Sequence, residues 1–461
     1  MTPSVLRYSD QIPQMAPQMD FNYNVMIPSN GSTFSPSQEI RIPINVPADS
    51  FADMKRAYIK FKLNNTTATV HASNAMQLDP TVGGAAVIDT FRVVSGTGAL
   101  LEETQHYNAL ASIMRINQNE GVRASRGSIT EGSSAAPLTA KSVSQIAGFP
   151  VADGVFDRVS VLAGESVILC HEPVSAVFNA DKLMPFGYTQ GTSYISLTLA
   201  DVNAAISAFT VLNTVTSLTW TVSEVELHLP VLRPGAEFAN NFRTLIQSGL
   251  PINIHSVGFQ NSQQNIAAGA SGMNTITFST RKRSVKSVMC GLRINSMLTN
   301  QKCDSASCWK NNEITEYQYS VGGRRIPSAP IKVAAGGANG NNADLGSAYN
   351  NTLMALGHYD SNLRGSSSTR ATNFGQYMQL IAADLTESSK CVFALDLESY
   401  GEGLSGMNLA GQGLPLVLHA NFADSAATRA GRDNAILADL YVVHDVIFTL
   451  DGVSGTLSAS S

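Results

Sequence analysis

Charge is scarce in this 461-residue chain: Asp, Glu, Lys and Arg make up 14% of it, with 30 basic against 35 acidic side chains and a formal charge of −5. Soluble domains usually carry about 25%. A disordered chain would hold more charge and fewer of the hydrophobic residues that make up 44% here, so the sequence can bury a substantial core. The shortage also implies a surface that is neutral or covered by other subunits. Aromatics are only 7%, with two tryptophans, which argues against loops built to stack on sugars. Five cysteines, Cys170, Cys290, Cys303, Cys308 and Cys391, are odd in number and scattered, so no disulfide framework is expected. Cys303 and Cys308 lack the second pair or nearby histidines that a zinc site requires. No apolar run approaches the roughly 18 residues of a membrane span, and Met1 to Met19 has neither the basic cluster nor the apolar core of a leader. The reading is a soluble protein made in a cytosol.

What the chain has in abundance is short alternating segments. Glu39 to Val46 alternates polar with apolar, and Tyr58 to Leu63 sets Ile59, Phe61 and Leu63 on one face and Lys60 and Lys62 on the other. Further strands are expected at Ala86–Val94, Val159–Cys170, Tyr194–Leu199, Ser217–Leu229, Met273–Ser279, Val285–Ile294, Glu316–Val321, Cys391–Leu397, Leu414–Ala420 and Leu437–Leu450. Clusters of Gly, Asn, Ser and Pro separate them, which favours antiparallel sandwiches over a βαβ fold. Two helices are expected over the sandwich ends, Glu102–Ile116 and Asp344–Leu356, each with apolar residues at helical spacing. Longer irregular stretches fall at Asn117–Gln145, Ala334–Asn342 and Arg364–Phe374.

A tandem repeat emerges from the order of these segments. Val222–Leu229 and Val443–Leu450 share the pattern V-x-[DE]-V-x-[FL]-x-L, with Trp220 and Tyr441 two residues ahead of each. Ile195 and Leu197 correspond at the same offset to Leu416 and Leu418. Earlier, Val94-Ser95-Gly96 and Ser320-Val321-Gly322 each run a strand into a glycine turn, followed by a helix carrying Tyr107-Asn108 or Tyr349-Asn350. Any one match is cheap, but their common order is not. The boundary is placed near Pro230–Gly235, where Pro230 and Pro234 are read as interrupting the strand. The chain is thus divided into an extended arm over residues 1–30, one β domain over 31–232 and a second over 233–461.

Asp53–Phe61, Ile88–Phe91, Leu101–Glu103 and Tyr107-Asn108 in the first half, and Arg281–Ser287 and Tyr317–Pro330 in the second, resemble the double jelly-roll major capsid proteins of tailless icosahedral DNA viruses, of the polinton-like virus and adintovirus type. These stretches cover a minority of positions but span most of the chain in order. The resemblance implies an all-β fold of two tandem antiparallel eight-stranded jelly-roll sandwiches with a few short helices. It implies a homotrimer of pseudo-hexagonal outline, in which six similar domains tile one capsomer of a virion shell. The implied partners are neighbouring capsomers, penton and minor capsid proteins, and an internal membrane or genome-associated proteins.

No catalytic constellation competes with a structural role. Walker A, H-E-x-x-H, G-x-S-x-G and EF-hand patterns are absent. Gly401–Gly406 matches G-x-G-x-x-G but lies between two expected antiparallel strands, so it reads as a turn and not as a dinucleotide site. The eight histidines are dispersed. No cofactor or metal is expected. Arg281, Lys282 and Arg283 form the strongest basic cluster, and Arg324 and Arg325 a second pair. Both are candidates for an interface or for the inner surface of a shell, against the plainer reading of solvated charges at strand ends. Residues 1–30 contain Arg7 as their one basic side chain, which is not the dense positive arm that neutralises a packaged genome. Direct sequence-specific nucleic-acid binding is therefore not expected. The sequence leaves two rivals: a single-jelly-roll capsid protein of an RNA virus, which the repeat and the missing basic arm disfavour, and a two-domain β-sandwich carbohydrate-binding adhesin or spike.

Overall fold

The computed structural model describes residues 19–68, 76–79, 81–115, 126–133, 160–208, 218–298, 306–307, 309, 314–333, 345–357, 391–399, 404–411, 415–422 and 435–461. The expected loops at Asn117–Gln145, Ala334–Asn342 and Arg364–Phe374 lie largely outside the described residues, as do Cys303 and Cys308.

The principal strands of the first half are β1 (Met19–Met26), β2 (Glu39–Ile44), β3 (Tyr58–Asn65), β4 (Ile88–Val94), β5 (Leu100–Thr104), β6 (Ser166–His171), β7 (Ser193–Leu199) and β8 (Trp220–Pro234). Those of the second are β9 (Ile252–Ile266), β10 (Gly272–Phe278), β11 (Val285–Ile294), β12 (Ile314–Val321), β13 (Arg324–Lys332), β14 (Val392–Asp396), β15 (Leu416–Phe422) and β16 (Ile436–Leu450). The longer helices are α1 (Tyr107–Arg115), α2 (Ala236–Gln247) and α3 (Leu345–Ala355).

All pairings of these strands are antiparallel, and the two halves repeat one topology. The first half has sheets β1-β8-β3-β6 and β2-β7-β4-β5, and the second has β9-β16-β11-β14 and β10-β15-β12-β13. Short strands at Thr33–Phe34 and Phe51–Ala52 join β8, and Leu457–Ser460 joins β16. Counted within each half, the orders are 1-8-3-6 and 2-7-4-5. Only strands four and five of each half are joined as neighbours in one sheet; every other connection crosses between sheets, which is the wrapping of a jelly roll. Two eight-stranded antiparallel jelly rolls with few helices are the all-β fold expected from the sequence.

The alternation in the sequence explains the layers. Ile59, Phe61 and Leu63 of β3 are buried, while Lys60 and Lys62 stay half-exposed. Ile40 and Ile42 of β2 lie opposite Leu197 and Ile195 of β7, which in turn face Phe91 and Val93 of β4. Burying each of these side chains contributes about 1.5–3 kcal/mol. The second core gathers Val288, Leu292, Tyr317, Phe393 and Leu418 in the same way. Every repeat landmark falls on equivalent elements: the V-x-[DE]-V segments on the eighth strands, Ile195 and Leu416 on the seventh, and the glycine turns after the fourth.

Three local expectations are corrected. Glu102–Ile116 is not one helix: Glu102 and Glu103 continue strand β5, paired with Val93 and Arg92, and α1 begins at Tyr107 after His106 takes a left-handed φ of 49°. The ladder to β4 wins because the buried Glu102 carboxylate is held in place by Ser175 and the amides of Ala176 and Val177. The prolines do not stop β8 either. The Pro230 carbonyl accepts the Asp53 amide, so the edge lacking an N–H faces the gap between β3, which ends its pairing at Tyr58, and the Phe51–Ala52 strand. Residues 19–26, assigned to an extended arm, form β1 and pair along their length with Leu227–Pro234; residues 1–18 lie outside the described ones.

Candidate assembly surfaces

Helix α1 shows how the halves meet. It is buried on all sides. Tyr107 and Ala111 pack into the first core. Ala109, Leu110 and Ile113 join Phe259, Met289, Trp309, Val392, Ala394, Tyr441 and Val443 in a separate apolar cluster on the outer face of the β9-β16-β11-β14 sheet. That sheet is consequently apolar on both faces, and β11 and β16 read as nearly continuous buried runs. Polar bonds stitch the same seam. Trp309 Nε1 donates to Ser112 Oγ at 2.7 Å, Tyr441 Oη to the His106 carbonyl at 2.8 Å, and Ser256 Oγ to the Ala176 carbonyl at 2.5 Å. His255 lies between Asp181 of the first half and Asp445 of the second.

Behind α1, Arg115 bonds the Val82 carbonyl and Glu131, while Tyr107 Oη accepts the Val174 amide and lies 2.8 Å from His171 Nε2. Burial lowers the His171 pKa and raises that of Tyr107. Burial also works against the Glu131 charge, but His171 and Arg115 outweigh it and hold that pKa low. The imidazole and phenol are fully enclosed, and Arg115, Glu131 and Val174 line a cleft of about 310 Å³ beside them. Among the described residues, no group of three or more His, Cys, Asp or Glu is placed to hold a metal ion.

The basic candidates sit at one end of the second half. Arg281, Lys282 and Arg283 occupy the turn between β10 and β11, and Arg324 and Arg325 open β13 after the β12 turn. Leu416 of β15 pairs with Phe278 on one side and Val321 on the other, so both turns project from the same sheet end. Arg281 and Arg283 are exposed. Lys282 is not: its Nζ meets Ser461 Oγ at 2.5 Å, burial lowers its pKa, and it lines a cleft of about 260 Å³ with His444 and Leu100–Glu103. Arg325 bonds Gln318 at 3.0 Å. Sequence reasoning singled out these arginines but missed Asp181 and His255, which no motif marks, and met Asp445 only as the acidic position of the strand repeat.

No protein-family model and no curated protein matches the sequence. Solved structures do match in shape. The PBCV-1 virus capsid, in a quasi-atomic model, superposes with a TM-score of 0.57 and 12% identity over 98% of this chain and 99% of that one. The Faustovirus major capsid protein gives 0.55 and 10% over 95% and 93%, and the mavirus major capsid protein 0.52 and 9% over 100% and 95%. The chain has the double jelly-roll fold of these capsid proteins.

Each surface of the internal seam occurs twice in a double jelly roll, and the chain uses one copy of each. In the first jelly roll, Leu101, Glu102 and Thr104 of the fifth strand are buried, and the strand packs near β9 and Leu457–Ser460 of the second. Its counterpart β13 is exposed at Arg324, Arg325, Ser328, Ala329, Pro330 and Lys332. Conversely, the first sheet of the second jelly roll is covered by α1, whereas among the described residues the same sheet of the first is open. Met19, Phe21, Tyr23, Val25 and Ile168 on it are 42–57% exposed. Register places Val25 beside His228 and Tyr58, Glu226 beside Lys60, and Lys62 beside Ile168, all on one face. Lys60–Glu226 and Lys62–Glu224 ion pairs at 3.0 Å cross it.

Proposed function

We propose that this chain is the major capsid protein of an icosahedral DNA virus and that three copies close head to tail into one capsomer. The observation that carries this reading is the duplicated seam, satisfied once inside the chain and left open at both remaining surfaces. A heterologous contact of this kind closes into a ring when its rotation allows. The shape likeness to the PBCV-1, Faustovirus and mavirus capsid proteins supports the same role. In this reading the first jelly roll runs to about residue 232 and the second from 233. The β13 strand of one copy covers the open β1-β8-β3-β6 face of the next, which makes Arg324 and Arg325 interface residues opposite a face that carries Glu224 and Glu226. Arg281 and Arg283, at the same sheet end, contact neighbouring capsomers. Partners are other trimers, penton and minor capsid proteins, and the site of action is the virion. The chain acts by burying surface, not by catalysis, and its charge of −5 leaves genome condensation to other proteins.

Light scattering of the purified chain tests this. The expected mass is three times the 48.9 kDa chain. Two double variants, Arg324→Glu with Arg325→Glu and Tyr23→Glu with Val25→Glu, alter opposite sides of the contact and should each yield a folded monomer. A wild-type chain that stays monomeric at high concentration, or a trimer indifferent to both variants, refutes the ring.

A further inference from the structure

His255 occupies an unusual position in the seam. Its ring is 31% exposed, with Nδ1 2.7 Å from Asp181 Oδ2 and Nε2 2.8 Å from Asp445 Oδ1. Asp181 belongs to the segment that follows β6 in the first jelly roll, and Asp445 lies on β16 of the second, fully buried. The Asp181 amide also donates to the His255 carbonyl at 3.0 Å, and Ser256 next to it bonds the Ala176 carbonyl. The imidazole is therefore a bridge between the jelly rolls.

The chemistry of that bridge depends on one proton. Ionised carboxylates only accept hydrogen bonds, and a neutral imidazole has a single N–H. Two carboxylates at hydrogen-bond distance, one on each ring nitrogen, are both satisfied only by the imidazolium. The other charges facing the site belong to the second jelly roll. Lys286 Nζ on β11 is 3.5 Å from Asp445 Oδ1 and 2.5 Å from Glu398, and the Ser284 hydroxyl bonds Asp445 Oδ2. His444 beside it is kept neutral by burial. With His255 neutral, Asp181, Asp445 and Glu398 face one ammonium between them.

We propose that His255 is a proton-operated latch between the two jelly rolls, closed as the imidazolium bound to both Asp181 and Asp445 and released when the ring loses its proton. In the released state one nitrogen presents its lone pair to a carboxylate, and the attraction across this part of the seam becomes a repulsion. The first jelly roll then loosens from the second around residues 176–181 and 252–259, while the apolar cluster under α1 still holds the halves together. A protein of this kind is tightest on the acid side of the His255 transition and loosens on the alkaline side. The direction of the shift agrees: burial disfavours the charge, but the hydrogen bonds and negative charges of Asp181 and Asp445 outweigh it and hold the His255 pKa above its ordinary value. The latch does not depend on the capsid reading, since it operates within one chain.

Nuclear magnetic resonance of histidine-labelled full-length chain, titrated from pH 5 to 9, tests it. His255, assigned by its loss in His255→Gln, should titrate above an ordinary histidine. Asp181→Asn, at an exposed position, should lower that midpoint by about one unit. Hydrogen exchange at the Asp181 amide, corrected for its intrinsic pH dependence, should quicken above the transition in the wild type and show no such step in His255→Gln. A His255 that titrates at or below the ordinary value, a midpoint untouched by Asp181→Asn, or an exchange step that persists without the imidazole overturns the proposal.

Discussion

The indole N–H of Trp309, in the second jelly roll, donates to the hydroxyl of Ser112, in the first, at 2.7 Å, with both side chains buried. Arg293 lies over the same indole, 5.1 Å from a ring centroid, and is paired with the buried Asp439 at 2.7 Å. One tryptophan thus ties α1 to the covering sheet by a polar bond, a cation–π contact and apolar burial together.

Removing the acceptor tests how far the seam sets stability. Ser112→Ala leaves the indole N–H buried without its partner, which costs about 1–3 kcal/mol. Urea unfolding followed by tryptophan fluorescence should show the midpoint fall, with the two halves still unfolding together. An unchanged midpoint would mean that the indole finds water or another acceptor.

Gly291, on β11, lies against the same ring. A Cβ there would sit 2.2 Å from a Trp309 ring carbon, far inside contact distance. Gly291→Ala should therefore cost about 1–3 kcal/mol through forced displacement of the indole. Thermal unfolding by calorimetry checks this, and a variant as stable as the wild type would show that the seam is loosely packed.

Acid should weaken the seam at a different point. Burial and the nearby Lys282 charge push the His444 pKa down to about 4, while an unfolded chain protonates this ring near its ordinary 6.5. Between those values the unfolded state binds the extra proton, so stability is complete above about pH 6.5 and falls as the pH drops towards 4. The full loss is about 3 kcal/mol. His444→Gln should flatten that part of the pH–stability curve. His255 works in the opposite sense, contributing stability at low pH that is lost as pH rises through its elevated pKa. Comparing the single variants with the double separates the two, since they sit on different sides of Asp445.

The strands that the sequence revealed are those with at least one face in a core. Tyr58–Leu63, Tyr194–Leu199 and Val285–Ile294 alternate or run apolar because their neighbours are buried sheets. The elements it concealed lack that signal. Strand β9 carries Gln260, Asn261, Gln263 and Gln264 in a polar run, yet pairs with β16 along its whole length; over that run backbone bonds define it, and its buried Ile254, Phe259 and Ile266 are too widely spaced to show alternation. Strand β13 holds Pro327 and Pro330 and lies at a sheet edge, where a missing N–H is tolerated. Helix α2 is largely exposed, so only Phe242, Ile246 and the buried Ala239 mark an inner face.

Period-two alternation and a repeated order of landmarks were enough to determine two similar β-sandwiches, because side-chain direction along a strand is a local property of the backbone. Which faces meet is not local. Tyr441 bonds the carbonyl of His106, His255 reaches both Asp181 and Asp445, and Arg324 and Arg281 share one sheet end only after the second jelly roll has closed. No periodicity encodes such contacts, since each depends on how two finished sheets pack. The tertiary structure alone decided which sheet is covered, which is left open, and where His255 meets an aspartate from each half.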